Sequence, residues 1–193
     1  MTWVAALLAI VVAVGVVILV RLMRVGKITL DTGWGRTIHA LGPIVVEVAA
    51  PRDLVYEQIS AAYLGRTPAS LRDHLEVVDR GTDLVLARHW SKTRFTNAQT
   101  LEIVGFEPSE RVRFRHVRGP VPHAVEEFTL RDSGTGTIIA YHGEIGLDFW
   151  WFGSIAARRW VRPVWEATVR TSMESTKHGA EERAAARARR EAR

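Results

Sequence analysis

The sequence predicts an α+β domain, one strand and two helices followed by six antiparallel strands and a long closing helix, preceded by a single transmembrane helix. Three observations predict it. Trp3 to Val20 runs without a charge or a strongly polar side chain. Residues 74–147 fall into six strand-like runs separated by short polar turns. The chain then enters a region whose apolar side chains recur every three or four positions. At 193 residues it has room for one domain and an anchor.

The apolar run comes first. Eighteen residues at helical rise cover about 27 Å, close to the thickness of a bilayer's hydrocarbon core. A cleaved signal peptide would carry basic residues ahead of the run and a small-residue site behind it. Here nothing basic precedes Trp3, and Arg21, Leu22, Met23 and Arg24 follow Val20. Residues 1–24 therefore read as an uncleaved anchor. Its positive flank lies on the C-terminal side only, which places the soluble domain in the cytoplasm of a single-pass cell-membrane protein.

Charge and composition exclude several classes. The net charge of +5 suggests a nucleic-acid binder, but it is unevenly spread. Residues 1–27 hold three basic side chains and no acid, and residues 177–193 hold six basic and three acidic ones. The stretch between them has 17 basic and 18 acidic residues, so the folded domain is near neutral and lacks a reader's basic patch. There is no cysteine, which removes disulfides, thiol catalysis and thiolate metal sites. No metal-ligand spacing, phosphate loop or nucleophile elbow is present, and no cofactor is implied.

Residues 25–42, with three glycines after Lys27, read as a linker. Pro43 to Ala49 is a β-branched strand. Pro51 at a first-turn position and Asp53 near the positive helix end start a helix whose apolar face is Leu54, Val55, Ile59 and Tyr63, and Gly65 stops it. Thr67-Pro68 opens a short second helix to about Arg72. The strands follow at about 74–80, 83–91, 94–106, 111–118, 122–131 and 137–147, and turns this short imply an antiparallel meander. Val112, Phe114 and His116 share one face and Arg111, Arg113 and Arg115 the other; Phe128 shares a face with Leu130, and Ile139 and Tyr141 with Ile145. Pro163 divides the last helical region into a segment near 152–160 and a main helix from about Arg162. Spacing puts Val161, Val164, Trp165, Thr168, Ser172 and Thr176 on one face of the main helix, with Arg162, Glu166, Arg170 and Glu174 outside. The Ala/Arg/Glu tail 179–193 favours helix but has no apolar stripe, and reads as a solvated or frayed end.

The segments VVEVAAPRDLVYEQI (45–59), VGFEPSERVRFR (104–115) and GTGTIIAYHGEI (134–145) resemble those of the START-like superfamily, the SRPBCC group of polyketide cyclases, Bet v 1-like proteins and lipid carriers. The resemblance covers residues 43–178 and implies a helix-grip fold with a hollow between a curved sheet and the last helix. It further implies that this hollow holds a hydrophobic or lipid-like molecule. Phe114, His116, Glu126, Phe128, Ile139, Tyr141, Trp165, Thr168 and Ser172 are then the expected lining. The alternative is a core filled by its own large side chains.

Among these, His116, Glu126 and Tyr141 are the candidates for acid–base chemistry. His116 shares parity with Phe114, and is either an active group or a satisfied core or rim histidine. Glu126 shares parity with Phe128; buried, it would be an acid of raised pKa, whereas at a solvated strand end it would do nothing. Tyr141 either donates to a ligand carbonyl or packs. His89 lies on a strand mixed on both faces, so parity does not orient it. Trp150, Trp151, Phe152, Trp160 and Trp165 are either core packing or a lip that gates the hollow or dips into the membrane. The expected function is membrane-tethered binding or transfer of a hydrophobic small molecule or lipid, with membrane contact through residues 3–20. A cyclase or dehydratase acting on a polyketide-like substrate, and an interaction module without a ligand, are the alternatives.

Overall fold

A computed structural model of the chain describes residues 2–65, 73–92 and 97–193. Helix α1 (Thr2–Arg24) is followed by β1 (Thr37–Val48), α2 (Arg52–Leu64), β2 (Leu75–Arg80), β3 (Leu84–Lys92), β4 (Asn97–Glu107), β5 (Arg111–Arg118), β6 (His123–Ser133) and β7 (Gly136–Leu147). A short helix α3 (Trp150–Ala156) runs through a π-helical turn, Ala157–Val161, into α4 (Arg162–Glu191). The short helix expected over residues 67–72 lies outside the described residues.

The seven strands form one antiparallel sheet in the order β1-β7-β6-β5-β4-β3-β2. Only β1 crosses over, to pair with β7 at Thr37 opposite Leu147. The inner face carries Val85, Ala87, Val104, Val112, Leu130, Ile139, Tyr141 and Ile145, all buried. Helices α2 and α4 lie across it: Val55, Tyr56 and Ala62 come from α2, and Val169, Met173 and Ala180 from α4. Outside, Arg113 and Arg115 are exposed and Arg111 pairs with Glu127, the wet face that parity predicts.

Strand direction gives the sheet two different ends. One end, here the distal end, holds the Ser109 and Gly134 turns and the start of α2. At the other, proximal end β1, β4 and β6 begin and β5 and β7 finish. Helix α1 also stops there. Gly26 takes a left-handed φ of +65°, its N–H donates to Met23 O, and the Lys27 N–H donates to Leu22 O. That pair of bonds is the Schellman arrangement that closes a helix. A Cβ on Gly26 would stand 3.0 Å from the backbone oxygen of Gln99, so the helix ends against the first turns of β4.

Three expectations are corrected. β1 begins at Thr37, inside the segment read as linker, and what precedes it is tied down. Thr29 and Gly119 exchange hydrogen bonds of 2.8 and 3.1 Å. The buried Asp148 carboxylate accepts from Thr32 N–H, Thr32 Oγ1, Gly33 N–H and Arg36 Nε at 2.8–2.9 Å. Against the cost of burial, the Arg36 guanidinium first and the two amides with it hold that carboxyl down at about 2. The tail is helical to Glu191 and its first turns pack: Ala180 is fully buried, and the Ala49 N–H donates to Glu181 Oε1 at 2.9 Å. Finally, Thr168, Ser172 and Val164 are exposed and are not on the inward face of α4. The inward row runs in steps of four through Val161, Trp165, Val169 and Met173, so the buried stripe is turned away from Val164, Thr168 and Ser172. Turned this way the helix buries a valine and a methionine rather than two hydroxyls.

Candidate functional site

The ionisable side chains of the interior lie toward the proximal end. Glu126 is the fourth residue of β6 and is only 8% exposed, among apolar neighbours. Its Oε2 accepts from the Tyr141 hydroxyl at 2.7 Å and from the Trp165 indole N–H at 2.8 Å. Tyr141 comes from β7, opposite Phe128 of β6, and Trp165 from the first turn of α4. Gly143, opposite Glu126 on β7, is needed here, because a Cβ on it would meet the Val125 oxygen at 2.6 Å and the Glu126 side chain at 3.2 Å.

A second cluster faces the first. Glu102, on the inward parity of β4 with Val104 and Phe106, is buried and lies 3.2 Å from His89 Nδ1 of β3. The other His89 nitrogen, Nε2, is 3.0 Å from the Tyr63 hydroxyl of α2. His116 of β5 sits opposite Glu102 in the register. Between the clusters runs an aromatic wall: Tyr63 to Phe106 and Phe114, Phe114 to Phe128, and Phe128 to Tyr141, with ring centroids 5.1–5.9 Å apart.

Two carboxylates in one apolar interior are driven in opposite directions. Burial opposes the charge of Glu102, but the facing His89 outweighs it and holds the carboxyl down at about 2. Burial likewise opposes the charge on His89, and Glu102 overcomes that and raises it. Glu126 has no cation in contact. Burial, with the charge of Glu102 added, pushes it up to about 7 against the hydrogen bonds from Trp165 and Tyr141. His116 is lowered, chiefly by burial. The interior therefore holds a carboxylate kept in its charged form by His89 and, two strands away, a carboxyl poised between acid and base.

Most of the space between sheet and helices is filled. Ile139, Tyr141, Val112, Val104 and Met173 are closed off completely. The inward-facing Phe128, His116, His89, Tyr63 and Trp165 each retain some exposure, while Glu126 behind them is closed off. Two hollows lie away from this region: one of about 440 Å³ between Val16–Val25 of the α1 end and Asn97, and one of about 390 Å³ at the distal turns around Pro51 and Gly134.

Of the residues expected to line the site, Phe114, Glu126, Phe128, Ile139, Tyr141 and Trp165 come together on the inner wall, with His116 at its edge. Thr168 and Ser172 do not. His89, Glu102 and Tyr63 were not on the expected list. Parity with Val104 and Phe106 marks Glu102 as inward, but Leu101 and Ile103 on the outer face look equally like core, which hid the assignment.

The fold can be compared with solved structures once this geometry is described. A protein of Thermus thermophilus superposes with a TM-score of 0.59 at 21% identity, covering 77% of this chain and 98% of that one. The fold is a Bet v 1-like helix-grip. Zhui aromatase/cyclase of a Streptomyces species matches with a TM-score of 0.52 at 16% identity over 79% of this chain and 96% of that chain. Norcoclaurine synthase of Thalictrum flavum, in complex with dopamine and hydroxybenzaldehyde, matches at 0.57 and 13% identity over 74% and 85%. No protein-family model matches the sequence, and no curated protein matches it either. At these identities the likeness carries the helix-grip architecture alone, and function rests on the site.

Proposed function

We propose that this chain is a membrane-tethered binding protein for a hydrophobic small molecule that carries a hydroxyl or carbonyl group. The observation that carries the reading is Glu126. A buried carboxyl, bracketed by a phenol and an indole N–H and set in a wall of phenyl rings, can orient the polar end of an otherwise apolar guest. Poised near neutrality, it donates to a carbonyl when protonated and accepts from a hydroxyl when ionised. Phe114 and Phe128 supply the apolar contact. Helix α1 supplies the tether: Trp3–Arg24 is long and apolar enough to cross a bilayer, and Arg21, Arg24 and Lys27 favour a cytoplasmic domain.

Photo-crosslinking of the full chain in lipid nanodiscs with a diazirine-bearing long-chain ketone tests this. Adducts on the peptides that carry Phe114, Phe128 and Tyr141, competed by the unlabelled ketone, are expected. Adducts confined to α1 and the protein surface would refute it.

An acid–base enzyme is a second reading, favoured by one observation: the divergence of Glu102 and Glu126 toward opposite protonation states. The aromatic hydroxyl and aldehyde compounds bound in norcoclaurine synthase are the kind of substrate such a pair would serve. Turnover of a poly-β-ketone or an aryl aldehyde that disappears in Glu126→Gln would establish this reading, and saturable binding without turnover would leave the carrier.

A further inference from the structure

We infer that the domain has a second membrane contact beyond α1: an aromatic face at the proximal end that inserts into the interface of the bilayer α1 crosses, on a leaflet bearing anionic lipid. Four observations carry it. The first is exposure. Trp151, Phe152 and Trp160 are 61%, 63% and 64% exposed, and Trp34, Trp150, Ile155 and Val164 join them. That is a cluster of large apolar side chains outside the core, of the kind that marks an interaction surface.

The second is backbone conformation. Phe149 and Trp150 adopt left-handed φ values of 74° and 48°, costly for bulky residues. The backbone around them enforces it. Phe149 N–H donates to Trp34 O and Trp150 N–H to Gly35 O, both at 2.8 Å, beside the Asp148 clamp. Gly35 has no Cβ because one would lie 2.4 Å from the Trp150 ring. The structure thus spends backbone strain to turn the aromatics that follow outward.

The third is position. β7 ends, and α3 begins, at the end of the sheet where α1 terminates against Gln99. Segment 27–36, which joins the two, is fastened to Gly119 and Asp148 and leaves the domain little slack. The tryptophans therefore lie at the same end of the domain as the exit of α1 from the bilayer, the end that faces the zone where indole rings partition. The fourth is charge. Arg158 and Arg159 are exposed in the π-helical turn between the aromatic groups, and Arg21, Arg24 and Lys27 lie at the helix end. Asp31 and Asp148 share Arg36, and neither pairs with Arg158 or Arg159. Aromatic side chains flanked by unopposed arginines match an anionic lipid interface rather than a dry protein partner.

One consequence concerns the interior. Glu126, His116 and His89 each lie within four residues of the proximal end of their strands, so the polar site sits on the membrane side of the domain. A guest dissolved in the bilayer would have the short path.

The chain lacks cysteine, so single-cysteine variants can be labelled without background. Trp151→Cys and Trp160→Cys, with Ser133→Cys at the distal end as control, are labelled with bimane. The full chain is then placed in vesicles of phosphatidylcholine and phosphatidylserine. Quenching by doxyl-labelled lipid should be several-fold stronger at positions 151 and 160 than at 133, and quenching by iodide several-fold weaker. Labels at 151 and 160 as open to iodide as at 133 overturn the inference, and so do labels shielded from both quenchers, the sign of a protein cover. Charge reversal by Arg158→Glu/Arg159→Glu should cut the lipid quenching at 151 several-fold; no change refutes the anionic requirement. Loss of the whole chain from floated vesicles would instead contradict the tether, on which this inference rests.

Discussion

The two ends of the sheet are built from the same strands and helices and distribute their residues in opposite ways. At the distal end the apolar groups are inside: Val55, Val85, Leu130 and Met173 pack together, and Thr137 donates to the Ala50 oxygen at 2.7 Å to close the junction of β1 and α2. At the proximal end three carboxylates, Glu102, Glu126 and Asp148, and a histidine are inside while the tryptophans stand outside. Burying carboxylates costs free energy, and so does leaving indole rings in water. A domain selected for stability alone would do neither, and the proposed function draws on the proximal half.

That contrast can be broken in graded steps. The largest effect is expected from His89→Leu, which leaves Glu102 buried without its cation; unfolding free energy should drop by about 3–5 kcal/mol. The double variant His89→Leu/Glu102→Leu should recover most of it in urea denaturation followed by sheet circular dichroism. Ile139→Ala, fully buried at the other half, should cost about 2–4 kcal/mol by leaving a cavity, without altering the titration of Glu126.

Glu126→Gln acts on the pH profile. The native carboxyl titrates near 7, above its unfolded value of 4.5, so its contribution to stability is complete below 4.5 and declines as pH rises through 7. Wild type should lose a few kcal/mol between pH 5 and pH 8 that the glutamine variant does not lose. Glu102 runs the other way, stabilising above 4.5 and failing as pH falls toward 2. Next, Asp148→Ala strips a buried acceptor from two amides and Arg36. It should cost about 1–3 kcal/mol and speed hydrogen exchange at Thr32 and Gly33, leaving the distal amides unchanged. Smallest of all, Asp132→Asn at the solvated Arg52–Asp132 pair should change stability by less than about 0.5 kcal/mol.

The distal half was easier to read from sequence than the proximal half, for the same reason. Alternation in Val112-Arg113-Phe114 and the β-branched run at 45–48 report a surface that is wet on one side and dry on the other, and the strands follow it. Glu126, Phe128 and Tyr141 were placed by parity, but parity could not say that Glu126 is sealed from water; α4 does that through Trp165. His89 and Glu102 were missed because Trp90, Leu101 and Ile103 put apolar groups on both faces of their strands. Thr168 and Ser172 were misplaced because Trp165 belongs to two neighbouring rows at helical spacing, one through Thr168 and Ser172 and one through Val169 and Met173, and only packing against the sheet selects the second. The pinned segment 27–36 looked like a linker because its order comes from Asp148, more than a hundred residues away.

The account stands on a protonatable Glu126 that meets the guest. Infrared difference spectroscopy of the full chain reads it directly, with Glu126→Gln as the blank. A neutral-carboxyl band should persist in wild type up to about pH 7, vanish in the variant, and shift when a long-chain ketone is added. A carboxyl already ionised at pH 5, or a band indifferent to the ketone, would contradict it.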